Sequence, residues 1–108
     1  MAATAADVFV VPAPESEKPE NRFHFKLGRK TYSVPFFQFL GPEAVTWFEL
    51  NGRTAQEFTM VRQVIPIECP ESKEAIRGLS ADQAVALSEA WTKASKVTPG
   101  KSSASDDS

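Results

Sequence analysis

An alternation of apolar and polar side chains over residues 22–34 constrains the fold more than any other feature of the sequence. The alternation is interrupted at Gly28 and Arg29. Strict alternation is typical of strands that bury one face, and a glycine between two such runs is typical of a two-residue hairpin turn. The predicted register gathers the aromatic side chains on one face and opposes three pairs: Phe23 with Val34, Phe25 with Tyr32, and Leu27 with Lys30.

Helical spacing and capping signals follow this hairpin. A short helix is predicted from Pro42 to a stop at Asn51-Gly52, because proline suits the first helical position and Asn-Gly is a turn sequence. A second helix is predicted to begin at a capping box formed by Thr54 and Glu57. We expect Pro66 to end it, because proline removes a hydrogen bond from a helix interior.

Two further helices are predicted in the second half of the chain. Residues 70–77 favour a helix of about two turns that opens with a proline and ends at a glycine. Ser80 and Gln83 form a second capping box, which predicts a longer helix from residue 80 to about 96. Trp91 lies within its apolar stripe, and this favours the core over an interface. The stripe comprises Ala84, Leu87, Trp91 and Ala94.

These elements predict one small α+β domain over residues 22–97, an N-terminal β-hairpin followed by three to four short α-helices. Residues 1–21 are predicted to form a flexible arm and residues 98–108 a disordered tail, because proline, serine and charged residues dominate both. Within the arm, residues 8–11 read Val-Phe-Val-Val. They favour either a strand that pairs with a partner's sheet edge or a tail that lies on its own domain.

Charge and cysteine content exclude several partners and compartments. Twelve Lys and Arg against fourteen Asp and Glu give a net charge of −2, which offers no electrostatic footprint for nucleic acid. The apolar run of residues 8–11 is too short for a signal-peptide core or a membrane span. Cys69 is the only cysteine, so no internal disulfide can form. We therefore expect a cytosolic protein that binds neither nucleic acid nor membrane.

Catalytic chemistry finds little support in the sequence. His24 is the only histidine and Cys69 the only cysteine. Two such residues are too few for a metal site of the usual nitrogen and sulfur ligands, and they do not identify a nucleophile paired with a base. The register also turns His24 away from the aromatic face, as expected of a surface residue. We expect no catalytic, cofactor-binding or metal-binding residues and no enzymatic activity. An enzyme that uses His24 and Cys69 is kept as a third hypothesis.

Large aromatic side chains are more numerous than a core of this size requires, which favours protein binding. In a second interpretation, the three phenylalanines of residues 36–39 fill the space between hairpin and helices. A small core is also marginally stable, so we expect association with a partner or with a second copy. The candidate partner-binding residues are Phe36, Phe37, Phe39, Trp47 and Phe48.

Three segments together resemble the tail assembly chaperones of long-tailed, siphovirus-type bacteriophages. They are the hairpin of residues 23–35, the helix of residues 79–95 with its leucine-serine start and its tryptophan, and the Gly, Lys, Ser and Ala of residues 100–105. The chain departs from that pattern in its proline-rich arm. It departs again at residues 36–40, which are rich in phenylalanine where such proteins more often carry a charged helix.

The resemblance implies a protein of the host cell cytoplasm that binds the phage tape measure protein and keeps it soluble while the tail tube polymerises around it. Members of that family are often also made in a longer form by ribosomal frameshifting, and such a form would reach the tail tube protein. The codons of Pro99, Gly100 and Lys101 can contain the slippery pattern G-GGA-AAA. The alternative is a small structural tail or head-tail connector subunit of the virion.

Overall fold

A computed structural model describes residues 8–95 and has the predicted α+β architecture. An antiparallel hairpin is followed by four α-helices in this part of the chain. The predictions for residues 1–7 of the arm, for residues 96 and 97 of the domain, for residues 98–108 and for the codons of Pro99, Gly100 and Lys101 lie outside the described residues. The elements are β1 (Arg22–Leu27), β2 (Lys30–Pro35), α1 (Pro42–Asn51), α2 (Glu57–Glu68), α3 (Lys73–Arg77) and α4 (Ala81–Ser95).

The hairpin has the predicted register. Gly28 adopts a φ of 61°, a left-handed conformation that residues other than glycine rarely adopt. This conformation makes the two-residue turn possible. All three predicted pairs are confirmed, including Phe25 opposite Tyr32, whose rings lie 5.8 Å apart. Both of these side chains are buried. The aromatic face of the hairpin is therefore the face that packs against the helices.

The predicted start of α2 is wrong. The Thr54 N–H donates to the Asn51 carbonyl at 3.1 Å, so Thr54 belongs to the turn that closes α1 rather than to a capping box. The helix begins at Glu57, and its N-cap, Gln56, makes no side-chain hydrogen bond to the backbone. The turn after α1 therefore occupies the residues that the capping box would need.

The predicted end of α2 is wrong as well. Pro66 lies inside the helix, which continues to Glu68. A proline lacks only its own N–H, and the ladder resumes directly, because the Cys69 N–H donates to the Ile65 carbonyl at 2.7 Å. Val64 and Ile65 are fully buried beside the proline. Their packing compensates for the missing bond.

Residues 70–77 form two short pieces rather than one helix. Pro70–Ser72 is a 3-10 turn, and α3 follows it from Lys73 to Arg77. Gly78 ends α3 as predicted, through N–H bonds to carbonyls of the last turn. A guanidinium N–H of Arg62 donates to the Arg77 carbonyl at 3.2 Å and so links α2 to the end of α3.

The capping box at the start of α4 is confirmed. The Ser80 N–H donates to Gln83 Oε1 at 2.9 Å, and the Gln83 N–H donates to Ser80 Oγ at 3.4 Å. The Ser80 hydroxyl also donates to the Asp82 carboxylate. This hydrogen bond holds the pKa of Asp82 below its ordinary value.

The buried stripe of α4 differs from the predicted one. Leu87 and Ala94 are only half-buried, whereas Ser88 and Ser95 are buried. Small side chains on the packed face let α2 and the turn after β2 approach α4 closely. The predicted core position of Trp91 is confirmed, because its side chain is 0% exposed. The buried stripe comprises Ala84, Ser88, Trp91 and Ser95.

The core lies between the hairpin and the paired helices α2 and α4. Trp91 is its largest fully buried side chain, and its indole N–H donates to the Pro35 carbonyl at 2.9 Å. Within residues 8–95, no helix has both the length and the apolar character that a bilayer crossing requires. Among the other buried side chains are Val34, Val61, Val64, Ile65 and Ile76.

The domain begins earlier than predicted. Arg22 donates to the Ser16 carbonyl at 2.8 Å, and the Asn21 side chain donates to the Glu15 carbonyl at 2.9 Å. Residues Pro19–Asn21 form a 3-10 turn against the hairpin. Residues 15–21 are therefore part of the domain rather than of a free arm.

Candidate functional site

Titratable side chains do not gather into a chemical centre in the described part of the chain. Among residues 8–95, no group of three or more His, Cys, Asp and Glu side chains could hold a metal ion. His24 is exposed and lies 3.3 Å from the Pro19 carbonyl, whereas Cys69 is buried at the end of α2. Aromatic side chains, in contrast, form a connected group between the core and the surface.

The phenylalanines after β2 are divided between core and surface. Phe37 is buried, with its ring centroid 4.4 Å from that of Trp91 and its N–H bonded to Ser95 Oγ at 3.1 Å. Its ring is part of the core and is not available to a partner in this structure. Phe36 and Phe39 are half-buried, so only their outer parts are accessible.

Trp47 and Phe48 form the outer end of a chain of aromatic rings that begins in the core. Phe37 contacts Phe48 edge to face, with ring centroids 6.3 Å apart. Phe48 contacts Trp47 in the same way at 5.2 Å. Both side chains are half-buried. Because Phe48 rests on Phe37, the core holds the Trp47 ring in a fixed position at the surface.

Trp47 lines three neighbouring concavities. The largest of them, about 490 Å³, lies between α1, the start of α2 and the side of α4 that carries Ser88 and Thr92. Its apolar wall includes Phe48 and Met60. The second is lined by Leu50 and Ile67, and the third is mostly polar. We call the apolar part of this region the Trp47 surface, which comprises Trp47, Phe48, Leu50, Met60 and Ile67.

The helix that carries Trp47 exposes two of its apolar side chains. Ala44 is the only buried residue of α1, whereas Leu50 is 77% exposed and Val45 is 43% exposed. Among residues 8–95, the indole N–H of Trp47 has no hydrogen-bond acceptor, unlike that of Trp91. Leu50 and Trp47 lie three residues apart and share one side of α1, and an apolar patch beside an indole donor is suited to contact with another protein.

The rim of this surface is acidic. Three glutamates and one arginine line the two concavities that hold its apolar residues. All four side chains are exposed. Such a rim favours a partner with basic residues beside its apolar ones. The charged residues are Glu43, Glu49, Arg53 and Glu57.

The sequence prediction found Trp47 and Phe48 but missed other parts of the surface. Leu50 was expected in the helix without a partner role, and its place just before the helix-ending Asn51 was the signal for its exposure. Met60 and Ile67 come from α2, and their approach to α1 depends on tertiary packing. The role predicted for Phe36, Phe37, Phe39, Trp47 and Phe48 in partner binding stays a prediction.

Comparisons with known proteins give no family assignment, since no protein-family model, no curated protein and no solved structure matches this chain. The proposal below therefore depends on the geometry of the Trp47 surface and on the motifs of the sequence.

Proposed function

We propose that this protein is a non-enzymatic phage tail assembly chaperone that binds the tape measure protein and keeps it soluble in the host cell cytoplasm. The observation that carries the proposal is the Trp47 surface, a partly exposed apolar region with a fixed aromatic ring at its centre. The resemblance of the hairpin and of the last helix to that class of chaperone supports it. No cofactor enters the proposed mechanism.

The shape of the Trp47 surface suits an amphipathic helix. A tape measure protein is a long helical chain, and apolar stripes on such a chain aggregate when they are exposed. Side chains of one stripe would enter the concavities on either side of Trp47, which are bounded by Leu50 and Met60. The free indole N–H would donate to a polar group of the bound helix.

Charge adds selectivity to this apolar contact. The rim contributes Glu43, Glu49 and Glu57 against Arg53. A helix with lysine or arginine beside its apolar stripe would therefore be preferred over an acidic one. Because exposed ion pairs contribute little free energy, the apolar contact provides most of the affinity.

Modest affinity suits a chaperone that must be displaced. Many copies along one tape measure chain would cover its stripes through repeated weak contacts, and tube subunits would replace them one by one. A longer frameshifted form, made at the codons of Pro99, Gly100 and Lys101, would extend the chain toward the tail tube protein. The proposal requires no such form for the solubilising activity itself.

The test is co-expression with a candidate tape measure protein, followed by measurement of its soluble fraction and of co-purification. Leu50→Glu places a charge in the Trp47 surface at a side chain that is 77% exposed, so the fold is retained. We expect about a tenfold loss of co-purified tape measure protein, because one buried charge costs more than 1.4 kcal/mol. The matched control is Ala86→Glu, an exposed position of α4 outside the surface.

Two outcomes would reject the chaperone. The first is a tape measure protein whose solubility does not change when the wild-type chain is present. The second is an equal loss with Leu50→Glu and with Ala86→Glu, which would mean that the Trp47 surface is not the contact.

A structural tail or head-tail connector subunit is the second candidate, and the exposed apolar side chains of residues 8–11 favour it, because such an arm can join neighbouring subunits. Mass spectrometry of purified virions separates the two candidates. A connector is present in stoichiometric amounts, whereas a chaperone is absent from mature particles.

A further inference from the structure

The segment before the domain exposes four consecutive apolar side chains. Phe9 is 82% exposed, and Val8, Val10 and Val11 are exposed as well. Valine and phenylalanine favour extended strands, and this run contains neither proline nor charge. An exposed segment of this kind is well suited to adding a strand to a sheet edge.

The hairpin offers two edges, and its register shows which backbone groups point outward. In an antiparallel pair, opposed residues alternate between hydrogen-bonded and non-hydrogen-bonded positions. The bond from the Phe36 N–H to the Asn21 carbonyl, at 2.9 Å, marks the hydrogen-bonded positions. The N–H and C=O groups that face outward on β1 are therefore those of Arg22, His24 and Lys26, and on β2 those of Thr31, Ser33 and Pro35.

The outer edge of β2 is blocked at two of its three positions. Pro35 has no N–H, and its carbonyl accepts the indole N–H of Trp91 at 2.9 Å. The Ser33 carbonyl accepts a guanidinium N–H of Arg22 at 3.0 Å. A further strand could not form a continuous ladder along this edge.

The outer edge of β1 is open. Its first position is occupied, because the Arg22 N–H donates to the Pro19 carbonyl. Within residues 8–95, no backbone hydrogen bond from outside the hairpin reaches His24 or Lys26. Both side chains are exposed, and the turn Pro19–Asn21 reaches the start of this edge through the Pro19 carbonyl, which lies 3.3 Å from His24 Nε2. Unpaired edge groups of this kind are a template for pairing with another chain.

The arm does not approach this edge in its own chain. Arg22 holds the Ser16 carbonyl beside Ser33, on the β2 side of the hairpin. Pro12 and Pro14 then line a shallow cavity with residues 38–40, the segment that follows β2. The arm thus leaves the domain on the side opposite to the open edge, which makes a second copy the nearer partner for that edge.

We propose that residues 8–11 of one copy pair with the open β1 edge of a second copy, beside His24 and Lys26, and that the exchange is reciprocal. Two reciprocal exchanges close a symmetric dimer. Alternate side chains of the added strand would extend the aromatic face of the hairpin next to the half-buried Phe23. This pairing is independent of the proposed chaperone function, because it uses neither Trp47 nor α1.

The test is backbone hydrogen exchange of the isotopically labelled full chain at low and at high protein concentration, with the molecular mass measured at each. We expect exchange of the His24 and Lys26 amides to slow by about tenfold as the monomer becomes a dimer, because the unpaired fraction then falls to about a tenth. The Thr31 and Ser33 amides, on the blocked edge, should keep their rates.

Adjacent N–H groups of a strand point in opposite directions, so the double variant Phe9→Pro, Val10→Pro removes a ladder donor in either orientation. We expect this variant to stay monomeric, whereas the matched control Phe9→Tyr, Val10→Ile retains the dimer. Both positions are exposed, so neither variant disturbs the core. The proposal is overturned if the chain stays monomeric at high concentration, if the proline variant still dimerises, or if Thr31 and Ser33 become protected instead.

Discussion

The two tryptophans of this chain lie on helices of opposite character. Trp91 on α4 is fully buried, and its N–H is bonded to the Pro35 carbonyl. Trp47 on α1 is half-buried, and among residues 8–95 its N–H has no acceptor. The same residue type therefore lies in the core on one helix and partly at the surface on the other.

The distribution of apolar residues around each helix explains the difference. The buried positions of α4 recur at intervals of three and four residues and form one stripe. In α1, the apolar residues Val45, Trp47, Phe48 and Leu50 are spread around the helix, so one packed face cannot bury them all. In addition, α4 begins at a capping box, whereas α1 has no side-chain cap.

Replacement of Trp91 should have the largest effect on stability. We expect Trp91→Ala to lower the free energy of unfolding by about 3 to 5 kcal/mol, because it opens a large cavity and leaves the Pro35 carbonyl without its donor. Urea denaturation followed by circular dichroism measures the change. Trp91→Phe should cost less, because it keeps most of the ring volume. A loss below about 1 kcal/mol for Trp91→Ala would contradict the contrast between the two helices.

Ser95 provides the next test of how α4 is anchored. We expect Ser95→Ala to cost about 1 to 3 kcal/mol, because the buried N–H of Phe37 loses its acceptor. Ser88→Ala is the matched control at another buried position of the same stripe. No hydrogen bond of the Ser88 hydroxyl is found within residues 8–95, so its removal should change stability by less than about 0.5 kcal/mol. Equal losses for the two variants would show that the Phe37 contact contributes nothing.

Replacement of Trp47 should lower the stability less than replacement of Trp91 or of Ser95. We expect Trp47→Ala to cost about 1 kcal/mol, since part of the Trp47 side chain is already in contact with water and its loss opens no enclosed cavity. The two rings can also be compared directly by fluorescence. Acrylamide should quench Trp47 in the Trp91→Phe variant strongly and Trp91 in the Trp47→Phe variant weakly. Similar quenching in both variants would contradict the difference in exposure between Trp47 and Trp91.

The smallest expected effect on stability comes from the hydrogen bond between Ser80 and Asp82 at the start of α4. Because the Ser80 hydrogen bond lowers the pKa of Asp82, the folded state favours the carboxylate, and this stabilisation is present at neutral pH. It is lost as the pH falls through the acidic range in which Asp82 becomes protonated. Asp82→Asn should remove this contribution, and NMR titration of the Asp82 side chain measures it. A midpoint at or above the ordinary value for aspartate would exclude the Ser80 contact.

The accuracy of the sequence predictions depended on how local each signal is. The hairpin register followed from alternation and Gly28, and the start of α4 followed from Ser80 and Gln83, because these contacts join residues close in sequence. Thr54 misled the prediction, because its backbone completes the turn after α1. Pro66 misled it too, because buried neighbours tolerate one missing hydrogen bond.

The surface was harder to predict than the fold. Phe37 and Phe48 belong to the same aromatic-rich stretch, yet Phe37 is buried against α4, whereas Phe48 reaches the Trp47 surface. Their directions depend on the 3-10 turn Phe37–Phe39 and on its bond to Ser95, 58 residues away in sequence. Exposure of Leu50 and approach of Met60 likewise depend on how α1 packs on α2.

The turn Phe37–Phe39 also lies where two distant parts of the chain come together. It holds the last described residue of α4 through Ser95, and residues 38–40 lie beside Pro12 and Pro14 of the arm. Residues 12–14 and the end of α4 thus meet at one short turn. A circularly permuted chain, joined near this point and reopened between Gly28 and Arg29, would keep the helical core intact and lose only the turn connection of the hairpin.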